Sequence, residues 1–233
     1  MIDSKEPITF TRAGALAGAQ KVLPIAVSDA VYGLVFGVLA HQAGLSLLEA
    51  ALMSGLVVAG SAQLVALSLW VAPLPVLAIV LTTLLVNLRY LVMGAALRPW
   101  FERLSAFKAY GSVFFMSDET WALTMGYFKA GGRNGAFLLG SSLVLTLTWL
   151  GGTVIGHLAG AAVQNPAAWG FDFAFVAVFV ALLVGMWKGK GDLLPWAVAA
   201  VVAIAAARWL PGEWYILLGA LAGSLTGALR HAD

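Results

Sequence analysis

The sequence predicts an all-α membrane protein, a polytopic helical bundle of about eight apolar segments with one candidate for a broken or re-entrant segment. Three observations lead there. Hydrophobic residues make up 61% of the 233-residue chain and charged residues only 10%, which is not the composition of a soluble domain. Residues 50–88 contain no Asp, Glu, Lys or Arg, a stretch about twice the roughly 20 residues that cross a bilayer as helix. The apolar runs are long and apolar on all sides, whereas a β-barrel would alternate over segments of about 10 residues. Helices pair their own backbone groups, so they are the form such segments take in lipid.

The segments follow in order, separated by breakers. The polar residues 1–21 are expected to form a cytoplasmic N-terminal tail, with residues 22–230 forming one transmembrane domain. The tail has no apolar core followed by a cleavage site, so targeting falls to the first membrane helix. Segment 22–40 ends before Gly44-Leu45-Ser46. Segments 47–70 and 74–97 are parted by Pro73 and Pro75. Arg98-Pro99 precedes 109–128, and Gly131-Gly132-Arg133-Asn134 precedes 135–158. Asn165-Pro166, then Lys188-Gly189-Lys190-Gly191, then Pro211-Gly212 bound 171–187, 193–210 and 213–229.

The net charge of +2 fits basic loops better than nucleic-acid binding. Lys5, Arg12 and Lys21 place the N-terminus inside, and Lys129, Arg133, Lys188, Lys190 and Arg230 then also fall inside. Arg98, Arg103 and Lys108 fall outside. Either an early segment is re-entrant or this loop departs from the charge rule. Without cysteine the chain has no disulfide or thiolate chemistry. Gly33-Leu-Val-Phe-Gly37-Val-Leu39-Ala40 echoes Gly152-Thr-Val-Ile-Gly156-His-Leu158-Ala159, a pattern that a duplicated half would leave.

Polar groups at membrane depth are costly and mark a pathway or site. Gly60 and Ser61 permit an opened helix whose free amides and carbonyls suit the charged ends of a small zwitterion, and Gln63 can donate and accept. Close helix packing would explain the small residues equally. Asn87 and Arg89 interrupt the third segment. Arg89 either snorkels to the interface or uses its fork to bind a carboxylate. Asp118 and Glu119 lie together in the middle of the fourth segment, where two adjacent carboxylates resist ionising together and suit a shared proton. The other reading is a solvated pair near an interface. Asp29 is a proton or substrate group, or an interfacial acid. Glu49 and Asp172 lie at segment starts, where helix dipoles favour acids.

His41 and His157 fall near outer ends with no convergent metal ligands. Gly219, Gly223 and Gly227 give the last segment a small-residue face for another helix of the chain or for a partner. No P-loop, GxSxG, HExxH or paired CxxC motif is present, so hydrolase chemistry, ATP hydrolysis and cofactors have no anchor. A carrier, a channel and an intramembrane enzyme are the three classes left.

At these residues the chain resembles the AzlC family, the large subunits of bacterial branched-chain amino-acid exporters. The matching residues are Phe36-Gly37, Ala43-Gly44-Leu45-Ser46, Met53-Ser54, Ala59-Gly60-Ser61-Ala62-Gln63 and Leu85-Val86-Asn87-Leu88-Arg89. Asp118-Glu119 and Trp149-Leu150-Gly151-Gly152 before Gly156 extend the match. Tyr90 stands where many members have His, and Ser28-Asp29 replaces a stretch often built around Ile-Pro-Phe-Gly. The resemblance implies a secondary exporter of branched-chain or similar neutral amino acids in the bacterial cytoplasmic membrane. It also implies a small AzlD-type membrane subunit as partner. On that reading Gly60, Ser61, Gln63, Asn87 and Arg89 bind substrate, and Asp118, Glu119 and Asp29 are the candidates for proton coupling.

Overall fold

Every regular element in the computed structural model, which describes residues 8–162, 180, 183–184, 187, 189–210 and 214–230, is helical. The first helix, α1 (Arg12–Gln42), starts well upstream of the apolar run because Thr11 caps it, its hydroxyl accepting from the Gly14 amide. Its 31 residues span about 46 Å, more than the ~30 Å of hydrocarbon in a bilayer. The polar first turns with Arg12 and Lys21 take up the surplus.

Three of the expected segments are not single helices. Segment 47–70 divides into α2 (Leu47–Val57) and α3 (Gly60–Ser68), as the Gly-Ser-Ala-Gln interruption suggests. Segment 74–97 becomes α4 (Val76–Asn87) and α5 (Arg89–Phe101), which meet at Leu88. Segment 109–128 becomes α6 (Ala106–Phe114) and α7 (Asp118–Lys129). The third break corrects the placing of Asp118 and Glu119 in the middle of a span. They open α7, where Ser117 and Thr120 exchange backbone–side-chain bonds in a capping box. Acids at a helix N-terminus also oppose its dipole. Glu49 does the same at the start of α2, boxed with Ser46.

The remaining described helices are α8 (Ala136–Gly160), α9 (Leu193–Trp209) and α10 (Trp214–Arg230), with a short 3₁₀ turn, Lys190–Asp192, ahead of α9. The expected segment 171–187 and Asp172 lie almost wholly outside the described residues. Among the described residues, four stretches are long and apolar enough to cross a membrane: Arg12–Gln42, Val76–Phe101, Ala136–Gly160 and Lys190–Trp209. Leu77, Leu91, Val92 and Leu147 point outward, as residues that face lipid do.

The frame is the pair α1 and α8, which run parallel and pack along their length. Their starts are stapled together: Thr9 exchanges backbone bonds with Arg133 and Gly135, and Asn134 bonds Thr11. Further along, the echoed glycines meet. The Trp149 carbonyl lies over Gly33 and the Ala30 carbonyl over Gly152, while Thr153 covers Gly37 and Leu34 covers Gly156. Each helix therefore presents glycine where the other brings backbone, so the approach is set by main chain and not by side-chain bulk. In α10, Gly219 and Gly223 are covered by Ala199, Ala203 and the Pro195 carbonyl of α9. That small-residue face is used within the chain.

Among the described residues, three buried clusters fill the interior. One joins α1, α2 and α3 through Phe36, Leu39, Ala50, Leu64 and Leu67, with Trp149 against it. A second joins α5, α7 and α8 through Met93, Leu97, Trp100, Met116, Phe128 and Leu138. A small third cluster, Val22, Ala26 and Leu145, lies inside the α1–α8 frame. Cysteines introduced singly in the N-terminal tail and at positions 190 and 103 of this cysteine-free chain test the orientation. Label should reach the N-terminal tail and position 190 from one side of the membrane. Labelling of those two from opposite sides would overturn the charge-based orientation, and position 103 decides the side of the 98–108 loop.

Candidate functional site

The break between α2 and α3 is where the backbone is forced. Val58 ends α2 in the left-handed region, at φ 44° and ψ 33°, a conformation that costs a β-branched residue free energy and is kept where surroundings over-determine it. Ala59 then starts α3 with no side-chain cap. The last carbonyls of α2 and the first amides of α3 lack intrahelical partners, so partial charges of both signs meet within three residues. Gly60 fits here because the Trp149 ring lies against it. A Cβ at that position would sit 2.6 Å from the ring edge.

Arg89 reaches this break from the start of α5. Its Nη2 donates to Ser61 Oγ at 2.7 Å and pairs with Asp118 Oδ2 at 3.0 Å. One guanidinium thus ties α3 to α5 and α7, and both members of the ion pair are only half-buried. The guanidinium also lies 5.2 Å from the centroid of the Tyr90 ring. The guanidinium is thus engaged by groups on two other helices. Asp118 and Glu119, adjacent in sequence, part company: Asp118 turns to Arg89, while Glu119 is exposed.

Gln63, one turn into α3, is 1% exposed. Its Oε1 accepts from Trp149 Nε1 at 3.1 Å and from the Ser54 hydroxyl at 3.4 Å. Ser54 and Thr153 share a bond of 2.8 Å. Several polar atoms near these residues are buried without a protein partner: Gln63 Nε2 and Arg89 Nε, both donors, and Asn87 Oδ1, an acceptor. Native interiors leave few such atoms unbonded, and each asks for a reason. Unused donors and acceptors at a helix break are suited to a ligand that carries both charges.

Asp29 has a different hydrogen-bond partner. On α1 it accepts from the Thr148 hydroxyl of α8 at 2.9 Å, within the parallel frame. His41 and His157 meet edge to face at 4.8 Å, and His157 Nε2 lies 2.8 Å from the Leu45 carbonyl oxygen. Sequence reasoning passed over Ser54, Trp149 and Thr153 as site residues, and also Thr120, which is bonded by Ser142 at 3.1 Å. Small hydroxyls in Gly- and Ala-rich helices carry no sequence signal of their own. Only the fold brings Ser54, bonded to Thr153, onto the same glutamine oxygen as Trp149.

The fold and the site define a polytopic helical membrane protein with a charged tie at its helix breaks. The chain belongs to the AzlC family, whose model, described as AzlC protein, matches residues 24–163. It is 30% identical over 169 residues to an uncharacterized membrane protein of Archaeoglobus fulgidus, covering 72% of this chain and 73% of that one. It is 26% identical over 166 residues to the branched-chain amino acid transport protein AzlC of Bacillus subtilis, covering 71% of this chain and 65% of that protein. An uncharacterized membrane protein of Helicobacter pylori (strain J99) is 29% identical over 191 residues, 81% of this chain and 82% of its own. No solved structure matches the chain significantly.

Proposed function

We propose that this chain is the large subunit of a secondary transporter that exports branched-chain or similarly sized neutral amino acids, driven by the proton gradient. The observation that carries the reading is the forced break at Val58–Ala59 with Arg89 brought onto it. The amides opening α3 and the Arg89 guanidinium suit a carboxylate, and the carbonyls closing α2 together with Asp118 suit an ammonium. Apolar helix walls suit an aliphatic side chain. The name of the Bacillus relative supports the substrate class. No nucleophile–base pair accompanies the acids among the described residues, which favours transport over enzymatic chemistry. We place the protein in the bacterial inner membrane with its N-terminus in the cytoplasm, working with a small AzlD-type subunit.

Cells loaded with valine- or leucine-containing dipeptides test the substrate. Deleting this protein and its partner should raise the intracellular amino acid and slow its efflux, and unchanged efflux removes the leading substrate. A channel would conduct only downhill, whereas an exporter should work against its gradient and stop with an uncoupler. Expressing the chain alone tests the partner. Full transport without a second subunit would dismiss an obligate one.

A further inference from the structure

The Arg89–Asp118 pair bears on the sign of coupling, and its role here rests on the amino-acid reading above. We infer that the substrate enters by splitting this ion pair, its carboxylate taking Arg89 and its ammonium taking Asp118, so that substrate and proton compete for one carboxylate and the carrier is an antiporter. Three features of the site support this. The pair is closed on itself, at 3.0 Å, and half-buried. The same Arg89 nitrogen holds Ser61, so the pair ties α3 to α5 and α7. Arg89 Nε remains buried and unbonded, leaving the fork an unused donor for a second carboxylate oxygen.

Each stage accounts for its charges. Before substrate enters, Arg89 and Asp118 neutralise one another and hold α3, α5 and α7 together. A zwitterion breaks that ion pair and makes two, guanidinium to carboxylate and ammonium to Asp118. When a proton reaches Asp118 from the far side, the carboxylate becomes neutral, the ammonium loses its counter-ion and the amino acid leaves. With the carrier turned to the near side the proton passes from Asp118 to the water, Arg89 and Asp118 re-form their pair, and the next zwitterion splits it. One proton therefore moves inward for each amino acid moved outward. The charged and titratable groups facing Asp118 are Arg89 and Tyr90 from α5 and Glu119 beside it on α7. Of these, the structure bonds only Arg89 to Asp118.

The full chain, with any subunit that co-purifies, is reconstituted in vesicles and assayed with radiolabelled valine. Wild type should exchange valine at equal pH and accumulate it when a pH step is imposed. External protons should raise the valine KM about tenfold per pH unit over the titrating range, with the maximal rate unchanged. Asp118→Asn should lose accumulation by at least tenfold, and the valine KM of the exchange it retains should be raised and independent of pH. If protons lower the valine KM, proton and substrate bind together and the inference is overturned, a result the wild type gives even where the variant does not fold. Retained accumulation in Asp118→Asn, or loss of the pH response in Glu119→Gln instead, overturns it too. A wild type that exchanges no neutral amino acid removes the substrate reading and this inference with it, whereas exchange without competition removes the inference alone.

Discussion

Arg89→Lys should lower transport on the order of 100-fold while leaving the protein inserted and folded. Lysine keeps the positive charge but presents a point charge on a flexible stem, where arginine presents a planar fork. Arg89 now holds Ser61 and Asp118 with one nitrogen and has a buried Nε to spare. A lysine could keep one of these partners and would lose both the other and the spare donor. Hydrogen bonds to charged groups contribute roughly 1.5–3 kcal/mol each, and about 1.4 kcal/mol is a tenfold change. Losing two therefore predicts a fall of at least about two orders of magnitude. Initial rates of valine exchange, normalised to protein recovered in the membrane, measure it. Near-normal exchange by Arg89→Lys would show that only the charge matters. It would also dismiss two-pronged carboxylate recognition. Arg89→Ala should be worse in yield, because it leaves the Asp118 carboxylate without its cation. Adding Asp118→Asn to that variant should restore yield but not transport, which separates the structural role of the pair from its role in binding.

Much of this site was legible in the sequence because charge in an apolar chain is conspicuous. Arg89 and Asp118 stand out in any reading, and Gly60-Ser61 marks the broken helix where it occurs. What remained hidden follows from the physics of helix breaks. The α6–α7 break has no proline or glycine at Phe115–Ser117, and its signal is only the Ser117–Thr120 box, a pattern common on helix surfaces. Leu88 between α4 and α5 keeps right-handed helical dihedrals, so a residue-by-residue pattern runs through it. Pairing across the bundle is invisible to periodicity, which is why Arg89 could be read equally as snorkelling. The echo of Gly33 and Gly37 in Gly152 and Gly156 was visible as a pattern. That the two stripes face each other across a parallel helix pair could be read only from the fold. Apolar length could not give the number of spans either, since three apparent spans each hold two helices.

The close approach of α1 and α8 makes the second large prediction, a contrast between glycines of the same chemical type. Gly37→Leu should remove most folded protein, and Gly94→Leu should be nearly silent. A side chain at Gly37 would run into the backbone carbonyl of Thr153 and the amide of His157. Neither can swing aside as a side chain could, so the helices would have to separate along their length. That would open the Asp29–Thr148 contact as well as the Gly33–Gly152 crossing. Overpacking typically costs about 1–3 kcal/mol and occasionally more, and in lipid no hydrophobic exclusion compensates for lost packing between helices. At roughly 2–4 °C per kcal/mol for a chain of this size, Gly37→Leu should lower the melting temperature in detergent by about 10 °C or prevent recovery of folded protein. Gly94 on α5 has open space around it, with nothing beyond its own stretch of helix within 4 Å of where a Cβ would stand. Leucine is the better helix former there by just under ~1 kcal/mol, and its side chain would extend into lipid. Melting curves of the two variants decide the matter. Equal melting temperatures would mean that α1 and α8 do not meet along their glycines, and the frame that holds the Val58 break beside Arg89 would have to be redrawn.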